Sequence, residues 1–372
     1  MPNSSLPWSL ENWKRAAHDD WFMMEEYQFF APNAILSYKN NIVVGPYTFF
    51  FNNMAKRESA QVLITARVKL YINNTSKSEK QETLHFETSV GDEISGLISI
   101  GLGIKNFCTG MSRRFHSPGS IVGDLYGEPC FSEAFVPPRL AVPEHFPILP
   151  DITGSVYPDK ELCDLENLAM ASPERYRAFI RASCLYKDAL EMVEHDPNLS
   201  WILMVSALET AAATEDESEV LPTQQLKDGF PNLFDVLQDS TDSAITERAA
   251  LIVAPTLKAT ARFIDFCLRN LPAEPSSRPK NEAVRICWEP ESIRKCLSTI
   301  YNYRSKYLHA GQRFPSLMSK PPFKYEERPC IEREKDYLNR EWKRKEVPIN
   351  LHTFNYIARH VLLNWCRSFQ TA

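Results

Sequence analysis

Seven prolines fall between Pro118 and Pro150 (Pro118, Pro129, Pro137, Pro138, Pro143, Pro147 and Pro150), a density that no helix or sheet interior tolerates. Each one locks φ at about −65° and removes a backbone donor, so the stretch must be irregular. It separates two differently patterned parts of a 372-residue chain, and each part is long enough to bury a core of its own. The reading is an α+β protein, with a strand-rich domain over residues 1–160 and an all-α domain over residues 161–372.

The first part carries period-two patterns. From Ser59 to Asn73, Val62, Ile64, Ala66, Val68, Leu70 and Ile72 share one face, with Gln61, Arg67, Lys69 and Tyr71 on the other. This is a half-buried strand. Ile42–Phe51 is a second, which Gly45-Pro46 is expected to bend. Ile94 to Phe107 is apolar, with Leu97, Ile98, Ile100, Leu102 and Ile104, and reads as a short buried helix.

The second part is helical. Ser172-Pro173-Glu174 combines a capping hydroxyl, a proline at the first helical position and a carboxylate at the positive end of the dipole. That helix is expected to run to about His195, before Pro197. Leu199–Ala213 is apolar on nearly every side and therefore buried. An acidic loop follows (Glu215, Asp216, Glu217, Glu219), then a helical stretch from Ile245 to Leu271 that Pro255 should kink or break. Further helices are expected over Pro290–His309 and Leu351–Phe369. A charged, proline-rich insertion at 313–348 lies between those two.

Bulk properties narrow the functional classes. A net charge of −5 argues against a constitutive nucleic-acid coat protein, yet residues 301–372 hold 14 Lys/Arg against 7 Asp/Glu. That local excess fits either a phosphate-attracting surface or a solvated face of mixed charge. Nine cysteines lack any CxxC pair, which reads as reduced thiols packed as small hydrophobes. With no apolar targeting region near the start and no apolar run of 18 residues, a soluble, cytoplasmic protein without membrane contact is expected. His85, His116 and His195 have no partners at ligand spacing, so neither a metal site nor a cofactor is expected. The glycines of ISGLISIGLGIKNF form neither a dinucleotide fingerprint nor a phosphate-binding loop.

Two positions in the helical part are chemically conspicuous. In ESIRKCLSTIYNYRSKYLHAG, Ile293, Leu297, Ile300 and Tyr307 form one stripe, and Arg304 occupies the stripe's remaining position. A guanidinium among apolar residues needs charge and hydrogen-bond partners. The only ionisable residue in Leu199–Ala213 is Glu209, which makes it the candidate partner. His309 stands at the helix end, before Ala310-Gly311. On a continuous helix five residues turn the side chain by about 140°, so Arg304 and His309 point apart unless the helix ends early or a second subunit completes the site. Tyr301, Tyr303 and Tyr307 could stack on bases, but an aromatic helix face more often packs in a core.

WILMVSALETAAA and YNYRSKYLHAG together resemble the Apea-like branch of the HEPN family. The first is similar to that branch's early helix ending in Ala-Leu-Glu. The second is similar to its Y-x-x-R-[polar]-x-x-x-H-x-G version of the family's R-x(4–6)-H motif. Arg304, Ser305, His309 and Gly311 match the motif, and Glu209 matches the upstream acidic position. A second spacing match, Arg139 to His145, contains Pro143 in the proline-rich region and is set aside. The resemblance spans roughly residues 172–369 and implies a HEPN-like helical bundle. More weakly, the region with ETSVGDEISGLISIGLGIKNF looks like the N-terminal partner that often precedes such domains, and its ligand or trigger is unknown.

What the resemblance implies is metal-independent endoribonuclease activity in anti-phage defence or a toxin system, and a homodimer through the C-terminal helices with a composite site. RNA suits one arginine and one histidine because its 2′-hydroxyl is a built-in nucleophile beside the phosphate. An imidazole exchanges protons near neutral pH, a role for His309. Arg304 would neutralise charge on the phosphoryl oxygens, Ser305 would orient the phosphate or the histidine, and Glu209 is either an ion-pair partner or a participant. The alternatives are a non-catalytic nucleotide- or RNA-binding or dimerisation module, and a signalling adaptor whose strand-rich half recognises a ligand.

Overall fold

The computed structural model describes residues 7–16, 21–32, 34–36, 41–53, 61–71, 88–116, 127–130, 147–150, 154–156, 162–215, 221–239, 243–330 and 342–371. Most of the proline-rich stretch, Ile72, His85, His145 and the acidic residues after Glu215 lie outside them. The fold is α+β. The chain divides into two compact units: Met1–Phe146, Asp151–Glu191 and Trp365–Ala372 form the first, Pro147–Pro150 and Met192–Asn364 the second.

In the first unit, helix α1 (Trp8–Arg15) precedes strands β1 (Met23–Pro32), β2 (Ala34–Leu36), β3 (Ile42–Val44), β4 (Tyr47–Asn53) and β5 (Gln61–Leu70). Helix α2 (Val90–Leu102) and strands β6 (Phe107–His116), β7 (Glu128–Pro129) and β8 (Gly154–Val156) follow. Six strands form one antiparallel sheet in the order β3-β4-β5-β1-β6-β7, while β2 and β8 pair in parallel. The alternation expected for β5 is present: Ile64, Ala66, Val68 and Leu70 are buried. Gly45-Pro46 does more than bend a strand. Val44 pairs directly with Tyr47, so the dipeptide is a two-residue reversal and Ile42–Phe51 is a hairpin.

Helix α2 begins four residues before the start of the apolar run at Glu-flanked Ile94, because Ser89 caps it by accepting from the Asp92 amide at 3.1 Å. It ends at Gly103, which is left-handed with φ 67°. Its Gly96 faces helix α3 (Pro173–Met192), where a Cβ would lie 3.1 Å from the Ser183 and Cys184 backbone. A side chain there would force the two backbones apart by a few tenths of an ångström, so glycine suits this close helix approach. As expected, Ser172 caps α3, its hydroxyl accepting from the Arg175 amide at 3.3 Å. Phe179 of α3 packs on Trp365 and Phe369, ring centroids 6.0 and 6.3 Å away.

The second unit is built from helices α4 (Pro197–Ala212), α5 (Pro222–Gly229), α6 (Pro231–Gln238), α7 (Ser243–Arg269), α8 (Pro290–Ala310) and α9 (Leu351–Arg367). Its centre is Trp201 of α4, fully buried and stacked between Phe314 and Phe354 at 5.2 and 4.9 Å. The indole N–H donates to Ser319 Oγ at 3.0 Å, which satisfies the one polar atom that burial would otherwise strand. Helix α7 runs unbroken through Pro255, where a kink or break was expected. Helices α5 and α6 lie between the acidic residues and Ile245, where the pattern assigned no element. The described parts of 313–348 are integrated into the packing: Phe314, Leu317, Met318 and Val347 are buried, and Glu327 receives a bidentate Arg278 at 2.6 Å.

Candidate functional site

Helix α8 is organised by its start and its stop. Pro290 opens it, and Gly311 closes it in the left-handed conformation at φ 63°, with its amide donating to Tyr307 O at 2.9 Å. Between these ends Ile293, Leu297 and Ile300 are buried, as the stripe required. Tyr301 and Tyr303 are also buried, whereas Tyr307, Arg304 and Ser305 are half-buried.

Arg304 meets Glu209. The guanidinium Nη2 donates to Glu209 Oε2 at 2.7 Å, and both side chains are about a fifth exposed (23% and 21%). The other carboxylate oxygen accepts from Tyr301 OH at 2.8 Å. Arg304 also lies over the Tyr301 ring, 5.6 Å from its centroid. One carboxylate thus receives two donors from successive turns of α8, which fixes the arginine's rotamer from two sides. Burial first, and then the Glu209 charge, push the Tyr301 phenol up to about 12, so at neutral pH it stays a donor. Phe263 of α7 closes the ring's outer side at 5.2 Å. Arg304 Nε is buried without a hydrogen-bond partner among the described residues.

His309 lies apart from this cluster. The helix continues to Ala310, so the turn of about 140° between Arg304 and His309 holds. His309 is exposed, and among the described residues neither its side chain nor that of Ser305 hydrogen-bonds to the Arg304 or Glu209 side chain. Within one chain the four candidate residues therefore fall into a held group, Glu209 with Arg304, and a free helix end bearing His309, with Ser305 on a half-buried flank. Tyr301 belongs to the held group although sequence reasoning gave it no such place. Its signal was available: Tyr301 and Arg304 are three apart, so both side chains reach one point on a neighbouring helix.

No family model, no curated protein and no solved structure matches this chain. The site is thus described by its own chemistry: a fixed cation, a hydroxyl donor with raised ionisation and an exposed imidazole. Among the described residues, no three His, Cys, Asp or Glu side chains gather as metal ligands. No described helix is long and apolar enough to cross a membrane.

A second feature lies on the other flank of α8. An open cleft of about 570 Å³ is lined by Glu291, Arg294, Lys295, Ser298, Asn302 and Lys306 of α8, together with residues of α5, α6 and the segment before α9. Apart from Pro231 and Tyr303, the lining residues carry polar or charged side chains.

Proposed function

We propose that this protein is a metal-independent endoribonuclease of HEPN type acting as a homodimer, in anti-phage defence or a toxin system. The observation that carries the reading is the organisation of α8. A guanidinium is clamped on one face by Glu209 and Tyr301, and an exposed histidine stands at the helix's capped end.

In this reaction the ribose 2′-oxygen attacks phosphorus, the P–O5′ bond breaks, and the 2′-hydroxyl proton goes to a base while the 5′-oxygen takes up another. The products are a 2′,3′-cyclic phosphate and a 5′-hydroxyl. His309 exchanges protons as base or acid, and water completes the second transfer. Arg304 has five N–H donors, of which one is committed to Glu209, so donors remain for phosphoryl oxygens as charge builds. Glu209 and Tyr301 act as positioning residues, and Ser305 orients the phosphate or the imidazole.

The deciding experiment is cleavage of a labelled RNA by wild type, Arg304→Ala and His309→Ala, each verified as folded, with DNA of the same sequence as control. Cleavage of RNA by wild type alone, with DNA intact, supports the reading. Undiminished cleavage by both variants removes it. The Glu209–Arg304–Tyr301 bonding also favours a second reading, because it would serve equally as a purely structural tie between α4 and α8. In that case the unit is a nucleotide- or RNA-binding or dimerisation module, and a wild-type protein that binds RNA without cutting it would establish this.

A further inference from the structure

Following α8 along its length connects the cleft to the histidine. Lys295, Ser298, Asn302 and Lys306 line the cleft at helical spacing. His309 is three residues beyond Lys306 and seven beyond Asn302, which returns it to the same side of the helix within about 20°. Arg304 belongs to the opposite, apolar stripe with Ile293, Leu297 and Ile300. The histidine is therefore the continuation of the cleft wall, about 4.5 Å further along the axis than Lys306.

The charge in the cleft is unbalanced. Five cations (Lys227, Arg294, Lys295, Lys306 and Lys345) face three carboxylates (Asp235, Glu291 and Glu346). Glu291 is shared among Lys227, Arg294 and Lys295 at 3.3, 3.9 and 4.0 Å, so it cannot neutralise them all. Glu346 is partly occupied by the backbone, its Oε2 accepting from the Lys343 amide at 2.8 Å. Lys306 lies 5.9 Å from the Tyr303 ring centroid and, like Lys345, has no carboxylate partner among the described residues. On the neighbouring segment, Arg344 stands close to Arg328, whose ionisation is lowered by burial and then by the Arg344 charge. Surplus ammonium groups and the serine, threonine and asparagine side chains of the lining suit a chain of phosphates.

We infer that this cleft is the seat of the RNA strand's phosphate backbone, which it leads along α8 toward His309. The inference rests on the ribonuclease reading for its direction, but the binding itself can be tested separately. A labelled 2′-O-methyl RNA strand, which lacks the nucleophilic hydroxyl, reports binding by fluorescence anisotropy, and ordinary RNA reports cleavage in parallel. Both are measured for wild type, for the double variant Lys306→Glu/Lys345→Glu, and for the control Arg248→Glu on an exposed position of α7. Both lysines are exposed, so folding should survive, and circular dichroism confirms it.

The expected result is a roughly tenfold or greater loss of strand binding in the double variant, with a flatter dependence on salt. The control should bind as wild type does, and ATP should compete poorly at equal phosphate concentration. Wild-type affinity in the double variant, a folded wild type that binds no strand, or ATP competing as well as the strand would each overturn the inference. If the double variant loses binding while wild type cleaves nothing, the cleft stands and the ribonuclease reading falls. If wild type cleaves RNA and the double variant binds and cleaves equally well, the reverse holds.

Discussion

Glu209 holds two donors at once, and that arrangement sets the expected behaviour of each residue around it. Glu209→Ala leaves the Arg304 guanidinium and the Tyr301 hydroxyl without their shared acceptor, at a cost of about 1–3 kcal/mol. Chemical denaturation of Glu209→Ala, Arg304→Ala and the double variant should show strong non-additivity, since one interaction is removed in all three. Additive losses would mean that the carboxylate and guanidinium are not coupled in solution. His309→Ala, at an exposed helix end, should change stability by no more than about 0.5 kcal/mol while abolishing RNA cleavage. A folded His309→Ala enzyme with wild-type rate would remove the histidine from the chemistry. The Glu209–Arg304 pair was legible because each is a single charge in an apolar pattern, and burial forces such charges together. Tyr301 was not, because an aromatic residue on a helix satisfies packing and hydrogen bonding alike, and the pattern cannot separate them.

At the scale of elements, legibility followed the clarity of the hydrophobic period. Strand β5 and helices α4 and α8 carry uninterrupted patterns and stand where they were expected. Strand β1 went unrecognised although it lies between β5 and β6 in the sheet, because Glu25 and Glu26 sit side by side in MMEEYQFFAP and break the alternation. The structure supplies what the pattern lacks: Arg114 and Arg67 bind these carboxylates at 3.1 and 2.9 Å from the flanking strands. Helix α2 hides a different exception. Glu93 is buried in it with no cation partner among the described residues, its Oε1 accepting from Tyr47 OH at 2.9 Å and Tyr176 OH at 2.8 Å. Burial raises its ionisation above the ordinary carboxylate value, against the opposing hydrogen bonds from Tyr176, Tyr47 and Ser9. Its stabilising contribution is therefore complete below the unfolded-state value near 4.5 and is lost as pH rises through the folded-state value. Glu93→Gln should accordingly gain stability relative to wild type as pH increases over that window, as measured by urea denaturation at several pH values. A stability difference independent of pH would show that the carboxyl is not retaining its proton in the fold. In the second unit Trp201→Ala should cost about 3–5 kcal/mol, because it empties the stack between Phe314 and Phe354. Thermal denaturation would register this as a large fall in midpoint, and a small one would place the centre of the unit elsewhere.

For the whole molecule, the proposed reaction requires Arg304 and His309 to act on one phosphate. Helix α8 continues past both, so a single chain presents them on different sides, and His309 is exposed beside Leu308, itself 49% exposed. An exposed leucine at a polar helix end is suited to burial against a second copy. A two-fold axis beside this end would place each His309 near the partner's Arg304, because a two-fold interface uses the same patch twice. The sequence points to a dimer through the resemblance and the opposed Arg304 and His309, but it carries no direct record of where the axis lies. Light scattering should find a dimer at micromolar concentration, and cleavage should persist in excess EDTA because the proposed chemistry uses no metal. The sharper measurement is complementation. Arg304→Ala and His309→Ala should each be inactive alone, yet mixing them under subunit exchange should restore cleavage. Roughly half of the dimers formed by free exchange are mixed, and each mixed dimer retains one intact arginine and one intact histidine on opposite subunits. Recovered activity should therefore track the mixed population and disappear when exchange is prevented. Two inactive variants that exchange subunits and remain inactive, or a strictly monomeric wild type that cuts RNA, would refute the composite site.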